Sequence, residues 1–321
     1  MTTNTTLVLG AGGTVGLAYH AGVLKALAEV AGIEAAGADL IVGTSAGAAA
    51  GAFLRSGWTS DDLWQRAIGT HPDVAELTEE ERAEQQRAIF TRTWTGTADL
   101  ARRGVGSSYA LLRSLSPLAG PPVPGWVGRW FPAGLFSMAS AEETFARDIG
   151  VEWPAQPLWL CAFDLVGRRR VVLGRDGDTE LPVYKAALAS CAIPGLYRPV
   201  RDGRRVLVDG GVSSTTNADL VAGRSTDQVI VVAPMAFDPR NAPNPAKQLA
   251  RRRASRALSA EVKQVRASGL PVTVLRPGLE EIGLHGRNFM RMDTSEQVAR
   301  LAYECAARAL GRPALADHPA A

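Results

Sequence analysis

The chain is short of the side chains that bind metals and relay protons. Its 321 residues include four histidines, His20, His71, His285 and His318, and three cysteines, Cys161, Cys191 and Cys305. There is no paired His spacing and no C-x-x-C, so neither a structural nor a catalytic zinc site is readable. Asp176-Gly177-Asp178 is too short and wrongly punctuated for a calcium loop. The cysteines are odd in number, far apart and set in apolar stretches, which suggests buried thiols in a reducing compartment. A net charge of only +3 gives no case for nucleic acid as a partner. Long apolar runs are missing as well. The longest uncharged one, Leu40 to Leu54, is shorter than the ~18 residues of a spanning helix. Met1 to Thr6 carries no basic region of the kind that opens a signal peptide. The expected location is cytoplasmic, with peripheral contact at a membrane allowed.

What is plentiful is glycine and apolar residues, 33 glycines and 46% hydrophobic, which suits a large buried core with many turns. The most informative stretch is Gly43-Thr44-Ser45-Ala46-Gly47. It follows the apolar run Leu40-Ile41-Val42 and precedes the small residues Ala48 to Ala52. Strand, sharp turn and helix with a serine at the apex is a nucleophile elbow. An ordinary glycine turn into a close-packed helix would read the same way, so the motif needs company.

A second glycine loop supplies it. The strand Thr6-Leu7-Val8-Leu9 leads into Gly10-Ala11-Gly12-Gly13-Thr14-Val15-Gly16, and a helix follows. Such a loop leaves N–H groups free to hold an anion. One candidate is a dinucleotide pyrophosphate, but the third glycine comes one place late. The second strand also ends in the elbow, where a ribose-binding acid would stand. The other candidate is the oxyanion of an acyl-transfer intermediate. That reading uses both loops in one site, since both leave the same edge of adjacent parallel strands.

The third feature is the strand Val206-Leu207-Val208 ending in Asp209-Gly210-Gly211. Asp-Gly is common in turns, and nothing in the spacing alone makes Asp209 catalytic. A serine hydroxyl needs an adjacent base. Of the histidines only His285 could give the Ser…Asp…His order of an α/β-hydrolase, whose nucleophile follows more strands than Ser45 does. A carboxylate serves as base if it sits beside the serine in a site that excludes water.

Taken in order, the glycine loop, G-T-S-A-G, Ala189-Ser190-Cys191-Ala192-Ile193-Pro194-Gly195 and D-G-G resemble the patatin-like phospholipase family of lipid acyl hydrolases, over about Leu7 to Val212. Phe163-Asp164-Leu165 looks like the family's preceding strand. The resemblance implies a nucleophile at Ser45, a base at Asp209, and an oxyanion hole from the amides of Gly12, Gly13 and Thr14, with that of Ala46 completing it. The motif glycines would be Gly43, Gly47, Gly210 and Gly211. The substrate would be a lipid or other acyl ester, cut through an acyl-enzyme, with no metal or organic cofactor. One departure is Val15, where the family commonly carries Arg or Lys. It puts any head-group role of that side chain in doubt, and leaves open a silent lipid-binding or scaffold protein.

The expected fold is α/β, a single domain over 1–312 with a mainly parallel sheet covered on both faces, and a flexible tail over 313–321. Strands are expected at 6–10, 39–43, 158–164, 169–174, 204–209, 227–233 and 271–276. Helices are expected at 16–31, 45–56, 60–68, 78–89, 98–114, 141–149, 183–191, 217–223, 246–268 and 295–310. Ser140 to Glu143 reads as a capping box for the 141–149 helix. A segment at about 59–137 interrupts the alternation. Its second half is rich in Pro and Gly, then in Trp126, Trp130, Phe131 and Phe136. These aromatics either tuck into the core or form an apolar flap that contacts lipid. The basic helix with Lys247, Arg251, Arg252, Arg253, Arg256, Lys263 and Arg266 is either a solvated face or a seat for anionic head groups.

Overall fold

The computed structural model describes residues 3–115, 132–175, 179–238 and 248–311. The hydrophobic runs become one eight-stranded sheet: β1 (Thr5–Leu9), β2 (Leu40–Thr44), β3 (Leu158–Asp164), β4 (Arg169–Leu173), β5 (Val200–Asp202), β6 (Arg205–Asp209), β7 (Gln228–Val232) and β8 (Val272–Leu275). The order is β5-β6-β3-β2-β1-β7-β8, with β4 also paired to β3. The five strands from β3 to β8 through β1 are parallel. β4 and the β5–β6 hairpin add antiparallel partners at the β3 side.

Strands buried on both faces read as continuous apolar runs, which is why β1, β2, β3 and β7 are legible in the sequence. On β1, Leu7 and Leu9 enter one core layer with Ile41, Leu160 and Leu207, while Val8 enters the other with Val42, Cys161 and Val231. The first layer is covered by α1 (Gly13–Ala31), α2 (Ala46–Arg55), α8 (Val183–Cys191) and α11 (Ser295–Leu310). The second is covered by α9 (Leu249–Ala267) through Leu258, Val262 and Val265. Between α2 and β3 the described chain contains no strand. It runs through α3 (Ser60–Ile68), α4 (Pro72–Ala75), α5 (Glu79–Ala88), α6 (Thr97–Leu115) and α7 (Ala139–Asp148). A short α10 (Leu279–His285) precedes α11.

Three expectations need correction. The helix at 217–223 is a 3-10 turn, Ala218–Val221. The helix expected at 141–149 starts at Ala139, with Met138 in the cap position and no side-chain cap, so Ser140 lies inside it. Ser137 takes the role instead, its Oγ accepting from the Ala139 amide at 3.1 Å. On the basic helix, Arg251 is buried rather than solvated: it donates to the Pro234 carbonyl at 2.7 Å and stacks over Phe289.

Candidate active site

The register of the sheet brings the sequence motifs to one level. Thr44 pairs with Cys161, and Ala162 with Asp209, so Ser45 and Asp209 leave the sheet on either side of β3 at the same height. Ser45 has φ 53° and ψ −117°, a region that L-residues seldom occupy. The surroundings over-determine it. The Ser45 amide donates to Ser190 Oγ at 2.9 Å, and that hydroxyl donates onward to the Cys161 carbonyl at 2.6 Å. The Ser45 carbonyl accepts from the Ala48 amide at 2.8 Å and from Cys191 Sγ at 3.3 Å. Two residues on, α2 sits on the end of β1. A Cβ on Gly47 would lie 2.0 Å from the Leu9 carbonyl oxygen, so only glycine fits there.

Asp209 is buried at the end of β6. Its Oδ1 accepts from the Gly211 amide at 2.7 Å, and the Ser45 side chain lies near enough to favour its charged form. Burial pushes the carboxyl up from 3.8 to about 6, while Ser45 and the Gly211 amide pull the other way. The group is thus ionised at neutral pH but far more basic than a solvated carboxylate.

The glycine loop faces this pair. The Gly10 amide is taken by the Val232 carbonyl at 2.9 Å and the Ala11 amide by that of Thr215 at 2.7 Å. The Val15 amide goes to the Phe289 carbonyl at 3.1 Å. The Thr14 hydroxyl donates to the Arg291 carbonyl at 2.7 Å, which leaves only its amide available. The amides of Gly12, Gly13, Thr14 and Ala46 have no acceptor among the described residues. They stand at two helix starts, where unsatisfied N–H groups favour negative charge. Gly13 has φ 63°, and a Cβ there would lie 2.4 Å from the Phe289 carbonyl oxygen. Val15, in place of the family's basic residue, is buried in the core.

His20 ties the two loops together. Its Nε2 lies 2.7 Å from the Gly10 carbonyl, which also accepts from the Gly47 amide at 3.1 Å. A carbonyl only accepts, so the proton is on Nε2. Burial lowers the imidazole to about 4, against a smaller raising effect of that bond, so it stays neutral. His285 is elsewhere. It is buried against Tyr19, with Nδ1 3.0 Å from Arg251 Nη2, and neither Ser45 nor Asp209 is among its partners. Of the aromatics in the interrupting segment, Phe136 is half-buried, edge-on to Phe90 at 5.5 Å. Trp126, Trp130 and Phe131 lie outside the described residues, as does the 313–321 tail.

Sequence reasoning missed Ser190 as a brace, although it stands in a quoted motif. It also missed Asn217, whose Nδ2 reaches Thr44 Oγ1 at 3.0 Å and the Ser214 carbonyl at 2.7 Å. The carbonyl of Phe289 had no signal at all, being backbone.

No curated protein sequence matches the chain. Among solved structures, VipD from Legionella pneumophila superposes with a TM-score of 0.46 at 13% identity, over 96% of this chain and 66% of VipD. The type III effector protein ExoU gives 0.41 at 17% identity, over 96% of this chain and 53% of its own. ExoU in its complex with SpcU, from the type III secretion system of Pseudomonas aeruginosa, gives 0.40 at 16%, over 96% and 51%. The chain thus spans about half to two thirds of those proteins. The family profile of patatin-like phospholipases matches residues 7–222, from β1 past the Asp209 motif and over more than half of the sequence, and the chain belongs to that family.

Proposed function

We propose that the protein is a serine acyl-ester hydrolase of lipids, phospholipase A- or lysophospholipase-like, working through a Ser45–Asp209 dyad. The observation that carries this reading is the contact between a strained, buried serine and a carboxylate raised to about 6 by its surroundings. Family membership supports lipid hydrolysis as the general activity.

Ser45 Oγ bonds to the acyl carbonyl carbon, and its proton passes to Asp209. The carbonyl oxygen takes up the negative charge and is held by the amides of Gly12, Gly13, Thr14 and Ala46. Collapse breaks the ester bond, and the alcohol leaves with the proton from Asp209. Water then attacks the acyl-serine, giving its proton to Asp209. The acid departs and Ser45 recovers its proton. A carboxyl near 6 suits both halves, since it must accept and release a proton at neutral pH. Within this reading residues 1–312 form one acyl hydrolase domain, and 59–137 is an insertion in it. Among the described residues no helix is long and apolar enough to cross a membrane.

The test is labelling with a fluorophosphonate, then mapping the modified residue. A single adduct on Ser45, lost in Ser45→Ala, is expected. An adduct elsewhere overturns the dyad, and no adduct in the folded protein favours a silent lipid-binding member of the family.

A further inference from the structure

α6 is an amphipathic helix facing the wrong way for its outer side. Its inner face is committed. Ala110 packs with Leu165 and Val208, Ser107 Oγ accepts from the Gly134 amide at 3.0 Å, and Arg113 donates to the carbonyls of Leu165 and Val166. Its outer face presents Val105, Leu111, Leu112 and Leu115, exposed by 55%, 44%, 57% and 56%. At 100° per residue these four lie within about a third of the helix circumference. Leucines repeated on one outward stripe are unlike the scattered apolar residues of an ordinary surface, and mark a contact site.

Beside the stripe runs a line of cations. Arg198, Arg201 and Arg204 are all exposed, and none has an ion-pair partner among the described residues. Arg201 pairs across the hairpin with Val206, which packs on the Ala110 cluster, so Arg201 and α6 share one face of the sheet. The link to α6 is direct: a Cβ on Gly195 would lie 3.5 Å from Leu111 Cβ, and the chain continues from there to Arg198. Among the described residues three acids lie near: Asp202 is buried and bonded to Arg205, Asp164 is buried and accepts from the Val206 amide, and Glu180, whose amide donates to Asp202, is exposed but forms no ion pair with these arginines.

This face adjoins the candidate nucleophile. Cys191 touches the Ser45 carbonyl, and Gly195 touches α6, so four residues of chain, at most about 14 Å, separate the two contacts. We infer that the outer stripe of α6 and the Arg198, Arg201 and Arg204 line together seat the protein on an anionic lipid bilayer. Apolar side chains enter the head-group boundary while the guanidinium groups meet lipid phosphates, the combination that fixes an interfacial protein. Unpaired positive charge favours an anionic bilayer over an apolar protein groove. The inference rests on the lipid-hydrolase reading for its purpose, though not for its physics.

The experiment measures vesicle binding by flotation, using Ser45→Ala protein so that the lipid stays intact. Vesicles are phosphatidylcholine with or without phosphatidylglycerol, at low and raised salt. The expected result is tight binding to the anionic vesicles, weakened by salt. Arg198→Gln, Arg201→Gln and Arg204→Gln together should weaken it by about 100-fold, about fivefold for each charge. Leu112→Ser with Leu115→Ser should weaken binding to both vesicle types. In the Ser45 background, both sets should keep hydrolysis of a soluble short-chain ester. Equal affinity of parent and variants for anionic vesicles overturns the proposal. So does a lowered unfolding midpoint of the leucine variant with unchanged binding, which means the chain covers its own stripe. A dimer that this variant dissolves would assign the stripe to a second copy and also overturns it. If the short-chain ester is not cleaved, the hydrolase reading fails while the vesicle result still stands on its own.

Discussion

Ser190 holds Ser45 by its backbone: the Ser45 amide donates to Ser190 Oγ at 2.9 Å, and the same hydroxyl donates to the Cys161 carbonyl on β3. Ser190→Ala leaves both backbone groups buried without a partner. The expected loss is about 1–3 kcal/mol of stability. Turnover of a short-chain ester should fall through kcat, with KM little changed, because the serine loses its aim rather than the substrate its pocket. Chemical denaturation and steady-state kinetics on the one variant check both halves.

Ser45 gives a prediction about strain. Glycine adopts φ 53°, ψ −117° freely, whereas alanine does not. Both Ser45→Ala and Ser45→Gly should abolish turnover. Ser45→Gly should nevertheless be the more stable of the two by about 1–3 kcal/mol, the usual size of such backbone strain. Equal unfolding midpoints would mean the elbow is relaxed.

Asp209 links pH to both rate and stability. Turnover should rise with pH along a limb centred near 6, since the base must be ionised. The folded-state value lies above the unfolded one, so the protonated form is the stabilising one. That contribution is present below about 4 and is lost as the pH rises through 6. Asp209→Asn should therefore be inactive and, above pH 7, more stable than the parent by up to about 3 kcal/mol. Below pH 4 the difference should vanish. Melting curves across that range measure it.

At Gly13 the structure sharpens an expectation from the sequence. Gly13→Pro removes a candidate oxyanion donor and demands a negative φ. Gly13→Ala would be the milder change only if the backbone angle there suited a side chain. The angle is 63°, and the new Cβ would press on the Phe289 carbonyl at 2.4 Å, so alanine should also be damaging. Both should lower kcat by about 100-fold or more, as loss of one oxyanion donor does. A properly folded Gly13→Ala protein with parental kcat would remove the loop from the site.

His285→Ala should lower stability and spare catalysis. It leaves Arg251 Nη2 without its partner in a buried setting. The unfolding midpoint should drop, while kcat stays within a few-fold of the parent. A thousand-fold loss, the scale of a triad member, would restore the histidine as a base.

How much of this was readable follows from what carries each contact. β1, β2, β3 and β7 are buried on both faces, so their sequences are plain apolar runs. The turns that end β1, β2 and β6 require glycine at tight approaches, and glycine is visible. β5 has three residues, too few for a period to show, but Asp202-Gly203 reads as the tip of a hairpin between two short strands, and the structure pairs β5 with β6 there. α10 begins Leu-Glu-Glu without a distinct apolar repeat and was missed. Arg251 looked like one cation among seven, because burial depends on what Pro234 and Phe289 place around it. The Asp209 register to Ala162 and the Ser190 brace are tertiary facts between residues tens to more than a hundred positions apart, and no local pattern encodes them.

The peg on Gly13 has a consequence for the order of synthesis. Ser45 and Asp209 both emerge from the ribosome before β7 and before Phe289. Yet the Gly10 amide is held by Val232, and the turn at Gly13 to Val15 is held by the Phe289 carbonyl. A nascent chain, or a product of premature termination just past residue 222, carries both reacting side chains beside an unset anion loop. The anion loop is therefore set only after Phe289 has been made and has docked, later than either Ser45 or Asp209.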